Sequence, residues 1–491
     1  MRVHITAVSG TAMGSLAGLL TELGHEVTGS DTAFYPPMGP ALSSWGVRCF
    51  QGFSGEHLDE TRPELVIVGN VCRRDNPEVL AAQARGLELL HVADALRRFA
   101  LPGTSSVVIA GTHGKTTTSS LTAHLLDRAG LGPGFLIGGV PKSLQRGFRA
   151  AGPRRLGALG KSALAPSSRR TPFVLEGDEY DTAFWEKTAK FLHYQAEVAV
   201  ITSLEHDHID IYPTMDSYRE AFERFVAGLP EDGLLIACAA DPEVVRVAER
   251  SRAPVAWYAL EGQNTHGMAP HWLAAPAQSD ATGTSFDLFA GGVLAGRYVC
   301  PLPGRHNVMN ATAALAVAAQ GFGVPLRSLV EPLSAFEGVK RRQELLGTPD
   351  GVSVYDDFAH HPTAVLETLA ALRLRHPAGR LFAVFEPRSA TACRRLHQAE
   401  YERAFESADE VLLAPVGRSE LSDDQKLDVP LLARTLSERG KPAQALTGVD
   451  AILDALVERA RPGDVVAILS NGAFGGIHAR LLSALEARRA Q

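Results

Sequence analysis

The chain has 491 residues, 45% of them hydrophobic, and a formal net charge of −7, which fits about three domains of ~150 residues with real cores. A mildly acidic chain without a long basic block argues against nucleic acid or a membrane surface as the main partner, and no obligate protein partner is evident. Cys49, Cys72, Cys238, Cys300 and Cys393 are odd in number, widely spaced and without a C-x-x-C pair; with no apolar run of about 18 residues, they suit reduced thiols in a cytoplasm.

Strand and helix signals alternate along the chain, the pattern of an α/β protein with mostly parallel sheets. The opening "RVHITAVSGTAMGSLAGLLTELGHEVTGSD" reads as a strand rather than a signal peptide, then a small-residue turn, a helix stopped at Gly24, a second strand and Asp31. The turn falls short of a dinucleotide fingerprint: only Gly14 meets the G-x-G-x-x-G spacing, with Ser9 and Thr11 in the other places. Ser9, Gly10, Thr11, Met13 and Gly14 at a helix N-terminus still suit a diphosphate, and Asp31 is placed to accept from a ribose or base. A nucleotide-linked ligand is expected, NAD less so; a tight packing turn is the plain alternative.

A second block opens near Ser105 with "VVIAGTHGKTTTSSL". A β-branched run enters a loop containing Gly111, Thr112, His113 and Gly114, and the loop closes on Lys115, Thr116 and Thr117. Backbone N–H groups converging at a helix start cradle phosphates, a lysine there reaches the β- and γ-phosphates, and the next hydroxyl can ligate Mg²⁺. The usual spacing asks for a glycine where Ile109 stands, so the loop is a shorter one. A glycine-rich strand–helix turn with an exposed lysine is the alternative, and on either reading the exposed loop lysine is expected to contribute little to stability.

Residues 149–172 carry no acid and are rich in Gly, Pro, Ser and Arg, the composition of an inserted mobile loop. "FVLEGDEYD" then delivers Glu176 to a strand end, where a phosphate-bound Mg²⁺ needs a carboxylate. "VAVITSLEHDHIDIY" brings Glu205, His206, Asp207, His208 and Asp210 to another strand end. His206 and His208 with nearby acids could hold zinc, but a zinc hydrolase has no use for the lysine loop, and Mg²⁺–nucleotide chemistry ranks above it. The Ala-rich run Ala311–Ala319 reads as a buried helix. A third block follows "FEGVKRRQEL", with strand-like "GVSVYDDF", "RLFAVFEP", "EVLLAPV" and "DVVAILSNG".

Taken together, these stretches resemble the Mur ligase family, the ATP-dependent amide-bond-forming enzymes of peptidoglycan synthesis, over nearly the whole chain. "GTHGKTTT" is similar to the family's ATP loop. "PGRHNVMNATAALA" is similar to its adenine-contacting segment, which implies Asn307 and Asn310, and "KRRQE" with "YDDFAHHPT" implies nucleotide contacts by Arg342, Asp357 and His360. The resemblance also implies Lys115, Glu176 and His208 as catalytic, with Thr116, Glu176 and His208 as Mg²⁺ ligands. Its fold would be three α/β domains: Rossmann-like over 1–104 for UDP-N-acetylmuramate, P-loop ATPase-like over 105–338, and Rossmann-like over 339–491 for a peptide. No lysine lies between Lys190 and Lys340, which sets the chain apart from family members with a carbamylated lysine.

"SGTAMG", "SDTAFYPPM", "VFEPRSAT" and "LSNGAFGGIHARLL" are similar to the branch that recycles cell-wall peptide. That implies joining UDP-N-acetylmuramate to L-alanyl-γ-D-glutamyl-meso-diaminopimelate, with ATP and Mg²⁺ as cofactors. Arg388 is the candidate for a peptide carboxylate, since guanidinium binds carboxylates bidentately, and Ser389 can add a hydroxyl. The family's more frequent "EAD" is "EGD" here, and Gly177 is expected to leave Glu176 usable. A ligase for L-alanine alone, a nucleotide-binding sensor without turnover and a nicotinamide dehydrogenase are the alternatives.

Overall fold

The computed structural model describes residues 1–35, 37–154, 169–280, 282–417 and 421–489. Its described strands form three main sheets and one small hairpin. The first sheet is all parallel, in the order Arg48–Gln51, Glu26–Asp31, Arg2–Thr6, Leu65–Val68, Glu88–Leu90. The order reverses beside Arg2–Thr6, so a crevice opens at the carboxyl ends of Arg2–Thr6 and Leu65–Val68, where open α/β sheets bind ligands.

The central sheet has ten strands. Its middle is the strand Thr104–Ala110, parallel to both Thr171–Glu176 and Val198–Ile201. All three are mostly β-branched or apolar and largely buried, as expected of strands covered on both faces. The sheet turns antiparallel at one edge through Trp272–Asp280, Gly283–Ala290 and Val293–Cys300, and at the other through Gly134–Leu136 and Phe148–Arg149. The third sheet runs Glu344–Gly347, Ser353–Asp357, Val465–Leu469, Leu381–Phe385, Glu410–Leu413, Ala443–Ala445, parallel apart from its first strand.

The expected inserted loop over 149–172 is strand at both described ends. Arg149 pairs opposite Phe135, and Thr171 and Pro172 pair opposite Thr104 and Ser105. Partner backbones impose these pairings on a sequence with no alternating pattern. Residues 155–168 of that stretch lie outside the described ones.

One apolar core runs through the first and central sheets, while the third sheet has cores of its own on its two faces. The join between the first two is close: a Cβ on Gly18 would lie 2.2 Å from Cζ of Phe148. The third sheet meets the central one largely through polar side chains, the kind of interface that permits relative motion.

Candidate active site

Thr104–Ala110 ends in a loop that turns into the helix Lys115–Arg128. Two glycines make the turn possible. Gly111 and Gly114 have φ of +125° and +79°, and a Cβ would meet Thr202 Oγ1 at 2.3 Å and Asn310 Oδ1 at 2.4 Å respectively. Only glycine fits both the backbone and the space. The loop is tied to the neighbouring strand end: Thr112 and His113 N–H groups donate to the Ser203 carbonyl (2.9 Å) and hydroxyl (3.0 Å). Beneath it, Thr118 donates to Asn310 Oδ1 (3.1 Å) and Asn310 Nδ2 to Asn307 Oδ1 (3.2 Å).

Lys115 Nζ donates to the Gly111 carbonyl (2.7 Å) and to Glu179 Oε1 (2.9 Å). The expectation of an exposed lysine that matters little to stability is therefore corrected. Its side chain is 15% exposed and that of its partner Glu179 1%, because the loop folds back over the strand end bearing the acids. Burial works against the ammonium, but Glu179, Glu176 and Asp178 outweigh it and raise the Lys115 pKa. Burial likewise opposes charge on Glu179, yet Lys115 and His208 hold its carboxyl below the usual range.

Thr116 Oγ1 donates to Glu176 Oε1 at 2.8 Å, and the other carboxylate oxygen accepts from Gly138 N–H (2.7 Å). Gly177 does leave Glu176 in reach of the loop. Two oxygens 2.8 Å apart match adjacent ligands on an octahedral Mg²⁺, whose edges are about 2.9 Å for 2.0–2.1 Å bonds. Glu179 Oε2 is buried without a hydrogen-bond partner, a further hard oxygen on a residue that lines the same cavity. His208, at φ +54°, places Nε2 3.0 Å from Glu179 Oε1. Burial disfavours its charge, but Glu179 and Asp207 raise its pKa. His206 turns away to the Tyr212 carbonyl (2.8 Å), so the two histidines of the zinc alternative take different partners.

The third sheet supplies the opposite wall. The linker crosses at Arg341 and Gln343, which have φ of +59° and +47°, conformations costly for non-glycine residues and concentrated at functional sites. Between them, Arg342 Nη2 donates to Thr116 Oγ1 (3.0 Å). Asp357 accepts from Gln343 N–H (2.7 Å) and Ala359 N–H (2.7 Å), and burial raises its pKa against the pull of Arg342. His360 Nδ1 lies 3.0 Å from the Phe358 carbonyl, and burial lowers its pKa. Thr363 donates to Glu205 Oε2 (2.7 Å), which also faces His113 Nε2 (2.9 Å) and His361 Nδ1 (3.3 Å). Burial would raise the Glu205 pKa, but His113 and His361 bring it down to about 2.

These walls enclose a cavity of about 550 Å³. Thr112–Thr117, Glu176, His208, Asn307, Asn310, Arg342, Asp357 and His360 all line it, and Tyr258, Leu260, Leu302 and Met309 give it an apolar end. Glu179 and Glu205 also line it; sequence reasoning saw their acidity but did not assign them. Their signal was present, an acid three residues past Glu176 and another three before His208, but which acid faces the lysine depends on how the strand ends cross.

Two predicted groups lie outside that cavity. In the first sheet, Gly10 caps the helix Thr11–Glu22, and Asp31 Oδ2 accepts from Ser9 N–H (2.9 Å) and Oγ (2.6 Å). Asp31 thus braces the turn that the sequence placed around a diphosphate. In the third, Arg388 covers the turn that begins at Asn471: a Cβ on Gly472 would meet its Cδ at 2.3 Å. Its side chain is 52% exposed, 3.7 Å from Glu386, and Ser389 Oγ accepts from Ala392 N–H (3.0 Å).

Comparison with known proteins accounts for all three sheets. Residues 2–103 match the Mur ligase family catalytic domain, 109–318 the Mur ligase middle domain, and 341–472 the Mur ligase glutamate ligase domain. The Escherichia coli UDP-N-acetylmuramate–L-alanyl-γ-D-glutamyl-meso-2,6-diaminoheptandioate ligase is 37% identical over 487 residues, 99% of this chain and 98% of that one. The crystal structure of a murein peptide ligase from Psychrobacter arcticus superposes with a TM-score of 0.72 at 33% identity, covering 99% of both chains. The UDP-N-acetylmuramate–alanine ligase of Thermotoga maritima, at 21% identity, shares the fold over the full length of both chains with a TM-score of 0.76. With a phosphate-type loop, its acids and the hinge arginine gathered in one cavity, and with matches along the whole chain, the protein belongs to the Mur ligase family.

Proposed function

We propose that the protein is an ATP-dependent ligase that joins UDP-N-acetylmuramate to the murein tripeptide L-alanyl-γ-D-glutamyl-meso-diaminopimelate. The observation that carries this reading is the convergence of Lys115, Thr116, Glu176 and Arg342 in a cavity walled by both the central and third sheets. Full-length relatives that are tripeptide ligases favour this acceptor. ATP and a UDP-linked sugar are cytoplasmic substrates, and no helix among the described residues is long and apolar enough to cross a membrane.

The lactyl carboxylate attacks the γ-phosphorus of ATP, ADP leaves, and an acyl phosphate forms. The alanyl amine then attacks the acyl carbon, phosphate leaves, and the amine gives up a proton. Bringing a carboxylate to a triphosphate demands charge neutralisation and in-line positioning. Lys115, already raised in pKa and aimed by Glu179, is the cation for the γ-phosphate, and Arg342 approaches the same loop from the third domain. The N–H groups of Gly114, Lys115 and Thr116, at the helix start, serve the other phosphate oxygens. Thr116 and Glu176 would hold Mg²⁺, and His208 with Glu179 a second ion; when bound, these ions offset phosphate charge. Asn307 and Asn310 flank the apolar end, which suits the adenine, while Asp357 and His360 approach the nucleotide from the hinge. Ser9–Gly14 and Asp31 form the diphosphate turn, and Arg388 and Ser389 receive a peptide carboxylate. The corresponding domains are 1–104, 105–338 and 339–491.

The test is ATP-dependent phosphate release with UDP-N-acetylmuramate, comparing tripeptide with L-alanine and identifying the amide product. Efficient use of tripeptide with little of L-alanine is expected. Use of L-alanine at equal or higher kcat/KM would overturn the acceptor assignment and leave the ligase chemistry in place.

A further inference from the structure

The segment from Glu176 to His193 links two regions that the reaction must hold in register. At its root Glu176 accepts from Thr116 (2.8 Å) and Glu179 from Lys115 (2.9 Å). The chain then leaves the nucleotide loop as an antiparallel hairpin, Asp181–Ala183 with Glu186–Ala189. Its neck is closed by Lys190, which donates from Nζ to Asp178 Oδ2 (2.8 Å) and from N–H to the Tyr180 carbonyl (3.1 Å). With Lys190 7% exposed, the root is fixed beside Lys115.

The tip reaches the first sheet. Phe184 packs on an apolar cluster that includes Ala7, Val66, Val68 and Cys72. Ala7 begins the turn that carries Ser9 and Gly10, and Cys72 lies in the loop after Leu65–Val68, so the cluster that the tip joins reaches the base of the ligand crevice. Beside it, Glu186 Oε2 lies 3.3 Å from His91 Nε2, and the His193 and His91 rings meet at 5.0 Å. His91 Nδ1 accepts from Asp94 N–H (3.2 Å) at the start of a helix, which assigns the proton to Nε2. That nitrogen lies 3.1 Å from Asp94 Oδ2 and 3.3 Å from Glu186 Oε2. The cluster ties the hairpin to the first sheet.

We infer that this hairpin sets the position of the sugar-bearing turn relative to Lys115, with Phe184 as a positioning residue. The inference rests on the ligase reading above. There, the donor is held by its diphosphate at Gly10–Gly14 while its carboxylate must meet the γ-phosphate held by Lys115. Reacting atoms need to approach within about 3–3.5 Å, and a misplacement of about 1 Å can cost ~10²-fold. A segment rooted on the lysine and seated on the sugar domain controls that distance without touching substrate.

The experiment measures kcat, dissociation constants for UDP-N-acetylmuramate and a non-hydrolysable ATP analogue, and Tm, for wild type, Phe184→Ala and Phe184→Leu. For Phe184→Ala, kcat is expected to fall about 30-fold with both dissociation constants within about threefold of wild type. Phe184→Leu, which refills the apolar seat, is expected to recover most of the loss. Should Phe184→Ala not fold, Glu186→Ala, which unpins the tip at His91, carries the same expectation. A kcat within about threefold of wild type in the folded variant overturns the inference. So does a loss that sits in the sugar-nucleotide dissociation constant, follows Tm and is not rescued by leucine. Failure of the wild-type protein to ligate UDP-N-acetylmuramate would instead strike the ligase reading.

Discussion

Lys115 sits at the end of the glycine loop with its ammonium against the Glu179 carboxylate (2.9 Å). Because Glu179 is buried against it, Lys115→Ala is expected to abolish ligation and also to cost about 3 kcal/mol of stability through the stranded carboxylate. Adding Glu179→Gln is expected to restore part of the stability and none of the activity; chemical denaturation beside a ligation assay reads both. Equal stability for wild type and Lys115→Ala would contradict the pair's energetic role. A pH test is available at the hairpin neck, where burial raises the Asp178 pKa but Lys190 outweighs it, lowering it from 3.8 to about 2. A depressed folded pKa stabilises above the unfolded value and is lost as pH falls toward the folded one. The Tm difference between wild type and Asp178→Asn is therefore expected to be constant above about pH 5 and to shrink below about pH 4. A difference that widens on acidification would reverse the assigned sign. For Arg388→Ala, a raised KM for tripeptide with KM for ATP unchanged is the expected mark of lost uniform binding.

At the scale of elements, the run Val107–Ala110 followed by Gly111, Gly114 and Lys115 was readable as strand, turn and helix because local sterics dictate it. Apolar β-branched residues fill a two-faced strand, and glycines alone tolerate the positive φ. The ends of the 149–172 stretch were not readable, since composition does not reveal pairing. Arg170 donates from its backbone to Ser105 Oγ (3.0 Å) and from Nε to the Thr104 carbonyl (2.9 Å), and Gly152 N–H bonds to Gly132 (2.9 Å). Excising 150–170 is therefore expected to lower Tm through loss of these hydrogen bonds. Replacing only 155–168 with a flexible linker, which keeps the bonds of Gly152 and Arg170, is expected to leave turnover unchanged. Tm and ligation rates for the two variants separate these outcomes.

At the scale of the whole molecule, the reaction depends on how the third domain seats. Thr391 donates to Asp207 Oδ1 and accepts from His208 N–H (3.1 Å), and Thr363 and Arg342 reach Glu205 and Thr116. Such polar contacts bias closure without locking it, and closure excludes water from the acyl phosphate. Thr391→Val is expected to raise the ratio of phosphate released to amide formed above one, as water competes for the intermediate; a ratio that stays at one would show that this contact does not guard the step. What the chain settles locally is the α/β class, the glycine loop, the lysine and the acids near Glu176 and His208, because each follows from side-chain sterics and charge over a few consecutive residues. The pairing of Lys115 with Glu179, the bracing of Asp31 by Ser9, the strained hinge around Arg342 and the seating of Phe184 on the first sheet join residues that are far apart in sequence or set by a distant partner. Only the packing of one sheet against the next decides them, because one carboxylate among several neighbours is chosen by where the strand ends meet.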